Sequence, residues 1–150
     1  MIDFVRKAGL SLVLTLVISL AFAQKPEVFS QNGKAIKGYD PVAYFTDSKP
    51  VMGKDEFKTA HAGATWYFSS QKNLELFKSN PAKYMPQYGG YCAFGLAGGY
   101  KAPISPDAWS IVGDKLYLNY NKKIQEEWTA DRTEMIKKAD NNWPTVKKDK

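Results

Sequence analysis

The chain has 150 residues, 44 % hydrophobic and 14 % aromatic, with a formal net charge of +6. That length fits one domain large enough to bury a core, and the single cysteine, Cys92, excludes an internal disulfide. The charge does not mark a nucleic-acid binder: the lysines are scattered, their densest group closes the chain (Lys147, Lys148, Lys150), and Arg132 is the only arginine after Arg6, whereas bidentate recognition of bases and phosphates favours Arg.

The N-terminus reads as a cleavable export signal. Arg6 and Lys7 precede an apolar run over residues 10–20, and Ala21-Phe22-Ala23 supplies the small-x-small pattern of a cleavage site. The run is shorter than the ~20 residues that a membrane-spanning helix needs, and polar Gln24-Lys25 follows it. The expectation is a leader over residues 1–23, a mature chain without a stable membrane span, and a periplasmic or secreted location.

Short elements closely punctuated by turns follow. Residues 28–31 and 34–36 flank Asn32-Gly33, a pair that adopts the positive φ angles of a tight hairpin turn. Asp40-Pro41 starts a short helix, with Asp40 capping free amides and Pro41 suited to the first turn. Residues 57–60 and 64–68 form a second hairpin around Ala62-Gly63. Ser70 caps a helix running to Ser79 with an apolar stripe of Leu74, Leu76 and Phe77, which Asn80-Pro81 stops. Residues 85–103 are rich in Gly and Tyr and show no helical or strand period. A third hairpin spans residues 109–112 and 116–120, Asn121 opens a helix over Ile124 and Trp128, and a last helix covers about residues 130–139 before Trp143-Pro144 ends the ordered part. The expected class is α+β, with small hairpins and short helices sharing one core.

Asp40-Pro41-Val42, Trp66-Tyr67-Phe68-Ser69, Phe77 and Asn80-Pro81-Ala82-Lys83-Tyr84 together resemble the YHS domain over residues 38–84. Pro86-Gln87-Tyr88-Gly89-Gly90-Tyr91-Cys92-Ala93 and Leu116-Tyr117-Leu118-Asn119-Tyr120-Asn121 extend the likeness to the longer exported bacterial YHS proteins. The implied organisation is a YHS-like domain over residues 24–144: a core motif at 38–84, a loop at 85–103, and a C-terminal hairpin and helices at 104–144. A basic tail covers residues 145–150. YHS domains occur in copper-transporting ATPases and beside other metal-handling modules, so the resemblance implies copper as a cofactor. Its presumed ligands are cysteines after Asp-Pro-Val, after the Phe of the aromatic motif, and in the helix that follows. Ala43, Ser69 and Asn73 stand at those positions here, and Ala, Ser and Asn are poor partners for a soft metal.

Cys92, in the Gly/Tyr-rich loop, is the first candidate for chemistry: a thiolate there can hold Cu(I) or a thiol-reactive ligand, and a buried thiol that only packs is its bland counterpart. His61 is the only histidine and is expected at an exposed hairpin tip. A composite metal site would join Cys92 with His61, Met85 or Met52, although no spacing encodes one. Tyr39, Tyr44, Tyr88, Tyr91, Tyr117 and Tyr120 suit the lining of a ligand site, with Asp40 as its anion, as well as they suit a small core. The resulting reading is an exported non-catalytic binding module holding a metal ion or small ligand near residues 85–103. The alternatives are an accessory protein that binds another exported protein through an aromatic face, and, third, an enzyme with Cys92 as nucleophile.

Overall fold

The computed structural model describes residues 26–149; the leader expected over residues 1–23 lies outside the described residues, as does Lys150. The class is α+β, as the sequence predicts. Strands β1 (Ser30–Gln31) and β2 (Lys34–Ala35) form the first hairpin, and Asn32 and Gly33 turn it with φ of 52° and 76°. A single 3-10 turn, Ile36–Gly38, leads to α1 (Ala43–Thr46). The second hairpin pairs β3 (Lys54–His61) with β4 (Ala64–Phe68). These four strands form one sheet in the order β1-β2-β4-β3, and β2 joins β4 in parallel through Lys34 and Thr65. Strand β3 lies at the edge and is largely exposed; its lysines and acidic residues suit an edge that must not pair with other chains.

Helix α2 (Gln71–Ser79) starts where Ser70 accepts a hydrogen bond from the Asn73 amide. Asn80 ends it and caps the one-turn α3 (Pro81–Tyr84) through the Lys83 amide, with Pro81 placed where its missing N–H costs nothing. Phe77 of α2 packs on Trp66 and Phe68 of β4 with ring centroids 5.2 and 5.1 Å away. The third hairpin, β5 (Ser105–Val112) with β6 (Lys115–Asn119), forms a separate two-stranded sheet. Its Leu116 and Leu118 complete the core begun by β4 and α2.

Two stretches depart from expectation. Residues 85–103 are not a featureless loop: Gln87–Gly90 forms a 3-10 turn, and Ala93–Ala97 forms a short helix, α4. After α5 (Lys122–Ala130), capped by Asn121 as expected, the last helix, α6 (Arg132–Val146), runs through Trp143-Pro144 instead of stopping there. Proline removes one backbone donor, whose acceptor would be the carbonyl of Asp140. That residue is exposed, so water can replace the lost partner. Burial of Val146 in a second core with Leu96, Tyr117, Trp128 and Ala139 keeps the helix going. Lys101 reinforces its end by donating from Nζ to the carbonyls of Lys147 (3.1 Å) and Asp149 (3.3 Å). The ordered part therefore extends past residue 144 into the expected tail. Among the described residues, no helix is long and apolar enough to cross a membrane.

Candidate functional site

Asp40 is completely buried and its carboxylate gathers three segments of the chain. Oδ1 accepts the amides of Val42 (2.8 Å) and Ala43 (3.3 Å), which caps α1. Oδ2 accepts the Ser69 amide, the Ser69 hydroxyl and the Asn73 side-chain amide, each at 2.8 Å. Asn73 Nδ2 also lies 3.4 Å from Ser69 Oγ. Thus α1, the end of β4 and the first turn of α2 share one acceptor. Asn73 is buried beside Leu74 and Phe77 on the inner face of α2. An amide on the buried face of a helix, four residues before a core Phe, was the available sequence signal that a polar partner lay inside.

Residues 42–88 match the family model of the YHS domain. That segment is similar to the YHS domain. No curated protein and no solved structure matches the chain. The three positions at which the resemblance implies cysteine ligands are those now seen around Asp40. Within the matched segment they do not fit a soft metal: Ala43 offers only a methyl group, and Ser69 and Asn73 direct their donors at the carboxylate. Five neutral donors satisfy Asp40, and a cation would have to displace them. Among the described residues, no three His, Cys, Asp or Glu side chains are grouped as a metal site requires.

The other candidates separate in space. His61 is exposed at the tip of the β3–β4 hairpin and sets its ring edge-on to Phe77 at 5.7 Å. Met85 is half-buried and lines a cavity with Glu27, Gln87 and Trp143. Met52 is exposed and forms a backbone bridge with Tyr39. None of these lines the groove bordered by Cys92.

The tyrosine hydroxyls are largely spent on structure. Tyr44 donates to the Pro106 carbonyl (2.9 Å), Tyr88 to Asp140 Oδ1 (2.9 Å) and Tyr91 to the Pro26 carbonyl (2.6 Å). Burial pushes the pKa of each of the three upward, and the hydrogen bond to Asp140 adds to the effect at Tyr88. Tyr91 faces a cavity with Phe29 and Lys101, and Tyr88 the one that holds Met85. Asp40 is enclosed by its own donors. The residues expected to line one site therefore serve several parts of the core, and Tyr39, half-buried, stays with the β3 edge.

Cys92 meets a groove together with Tyr120. The residue is 2 % exposed and precedes α4, yet it borders an apolar depression with Phe94, Tyr100, Ala102, Tyr120 and Ile124. Tyr100 and Tyr120 are 53 % and 52 % exposed, so large apolar surface stands at the rim, the arrangement of a binding groove more than of a finished core. The thiol lies 3.5 Å from Asn119 Oδ1, which also accepts the Phe94 amide at 3.0 Å. Asn119 Nδ2 is buried with no hydrogen-bond partner among the described residues. Burial pushes the Cys92 pKa up, opposed in part by the amides of Gly95, Tyr120 and Phe94. A thiol kept protonated is a weak nucleophile, and the only histidine sits on Phe77, not on this sulfur. Sequence reasoning found Cys92 but missed Phe94, Tyr100, Ala102, Asn119 and Ile124, because they come from α4, β6, α5 and the segment between α4 and β5.

Proposed function

We propose that the chain is an exported, non-catalytic binding module in which the YHS domain is the scaffold and the Cys92 groove is the ligand site. The observation that carries this reading is the apolar groove between two half-exposed tyrosines, with a buried thiol at its edge. The basic-apolar-small pattern of residues 1–23 supports export. The groove brings a single sulfur and no second soft donor, so a small ligand with an aromatic or apolar body fits it better than copper. In an NMR titration with indole, 2-naphthol and benzoate, at least one probe should shift the amides of Phe94, Tyr120 and Ile124 as a group. Shifts scattered over other surfaces, or none at all, would sink the reading.

Copper is tested separately. Cu(I) delivered under reducing conditions against a competing chelator should bind wild type no more tightly than Cys92→Ser; tighter binding by wild type would restore the metal reading. Attachment to another exported protein draws on the same exposed rings of Tyr100 and Tyr120. It predicts that Tyr120→Ser abolishes that complex while the three probes leave the groove amides unmoved. Export itself is read by N-terminal sequencing of the processed protein, expected to begin at Gln24.

A further inference from the structure

We propose that the corner around Asp40 is a metal-independent latch, in which hydrogen bonds to one buried carboxylate hold together the positions that the YHS resemblance assigns to cysteine ligands. Positions 43, 69 and 73 belong to α1, the residue after β4, and α2. Each places a donor on the same carboxylate: the Ala43 amide at 3.3 Å, the Ser69 amide and hydroxyl at 2.8 Å, and the Asn73 side chain at 2.8 Å. Residues so far apart in sequence meet there because the fold brings them together. Two of the three reach the carboxylate with their side chains, and position 43 contributes its backbone amide. The chemistry at the point of convergence is different, since a carboxylate with neutral donors replaces a metal with soft ligands.

The donor count argues the same way. Two donors face Oδ1 and three face Oδ2, so the lone pairs that a hard cation would require are already engaged. A soft cation finds no thiolate, thioether or imidazole in the corner. A metal bound there would have to break the capping of α1 and the tie to α2 before gaining a ligand. The corner should therefore lock the domain without a cofactor, and metal should neither strengthen the lock nor repair it.

The test uses the full chain in a Cys92→Ser background, which removes the only native thiol. Thermal midpoints are measured in EDTA, in Zn(II), and in Cu(I) under reducing conditions. The Cys92→Ser protein should show the same midpoint in all three, and Ser69→Ala should lower it by several degrees, equally in all three. A second variant tests the retained geometry: Ala43→Cys/Ser69→Cys/Asn73→Cys in the same background, checked for folding by circular dichroism. Titrated with Co(II), it should develop the near-ultraviolet thiolate-to-metal absorption that the parent lacks. A metal-dependent rise in the parent midpoint that Ser69→Ala abolishes would overturn the latch. A folded triple variant with no such absorption would overturn the claim that the three positions keep a ligand geometry.

Discussion

Asn73 donates to Asp40 across 33 positions of sequence at 2.8 Å, tying the α2 helix to the turn that starts α1. Ser69 shares the same carboxylate oxygen. Losing one donor to a buried carboxylate costs about 2 kcal/mol, whereas removing the acceptor strands several buried donors together. Ser69→Ala and Asn73→Ala should each lower the unfolding free energy by about 2 kcal/mol, and Asp40→Ala by about 4 kcal/mol or more. Urea denaturation followed by tryptophan fluorescence reads this order. Equal losses for the three variants would mean that the carboxylate is not the hub.

Gly89 supports the N-terminal segment in a way no other residue can. Its φ is +63°, and a Cβ there would come within 1.8 Å of the Glu27 carbonyl oxygen. The Gly89 carbonyl in turn accepts the Phe29 amide at 2.9 Å. Gly89→Ala combines an unfavourable φ with a clash against backbone and should cost about 3 kcal/mol. Hydrogen exchange should show the Phe29 amide losing protection before amides of β4 do; unchanged protection at Phe29 would contradict the contact.

Alkaline pH should weaken the domain. Cys92, Tyr44, Tyr88, Tyr91 and Tyr117 all have pKa values raised by burial. The unfolded chain therefore releases these protons first, so the stability they contribute is complete below the unfolded values and is lost as pH rises towards the folded ones. Stability should begin to fall above about pH 8.5 through Cys92 and fall further above about pH 10 through the tyrosines. Denaturation midpoints between pH 7 and pH 11 measure the slope. Cys92→Ala should remove the earlier onset. In the native protein at pH 8, a thiol reagent should modify Cys92 far more slowly than in urea.

The groove rim and the C-terminal clamp should separate binding from stability. Tyr120 is half exposed, so Tyr120→Ser should change stability by no more than about 0.5 kcal/mol while weakening any probe seated over Cys92. Lys101, 7 % exposed, carries its ammonium to the carbonyls of Lys147 and Asp149 and lies 5.5 Å from the Tyr91 ring centroid. Lys101→Met keeps much of the volume but loses those bonds and should cost about 2 kcal/mol. The increased exchange should be confined to the final turn of α6.

Legibility followed the locality of each cause. The turn at Asn32-Gly33 and the caps at Ser70, Asn80 and Asn121 are decided by the residues themselves, and they formed as the sequence predicts. Asp40 was legible as a helix cap, but its bonds to Ser69 and Asn73 depend on where two other elements land. Helix α4 was hidden because it is short and carries Gly95, where a side chain would press on the Tyr100 carbonyl at 3.1 Å; glycine reads as a helix breaker when that neighbour is unknown. Continuation of α6 through Pro144 depends on the burial of Val146 and on Lys101, a contact 46 positions away. The Cys92 groove draws on four separate segments, so only Cys92 and Tyr120 stood out in the sequence.

The bond from Tyr91 to the Pro26 carbonyl spans 65 positions, and β2 meets its parallel neighbour only at Thr65. A ribosome delivers the chain N-terminus first, so residues 26–35 emerge well before the partners that fasten them. Contacts between residues far apart in sequence form late, because each must first close a long loop. The opening segment must therefore wait for residues 65–91 before it can dock, and protection of the Phe29 amide marks the moment at which it does.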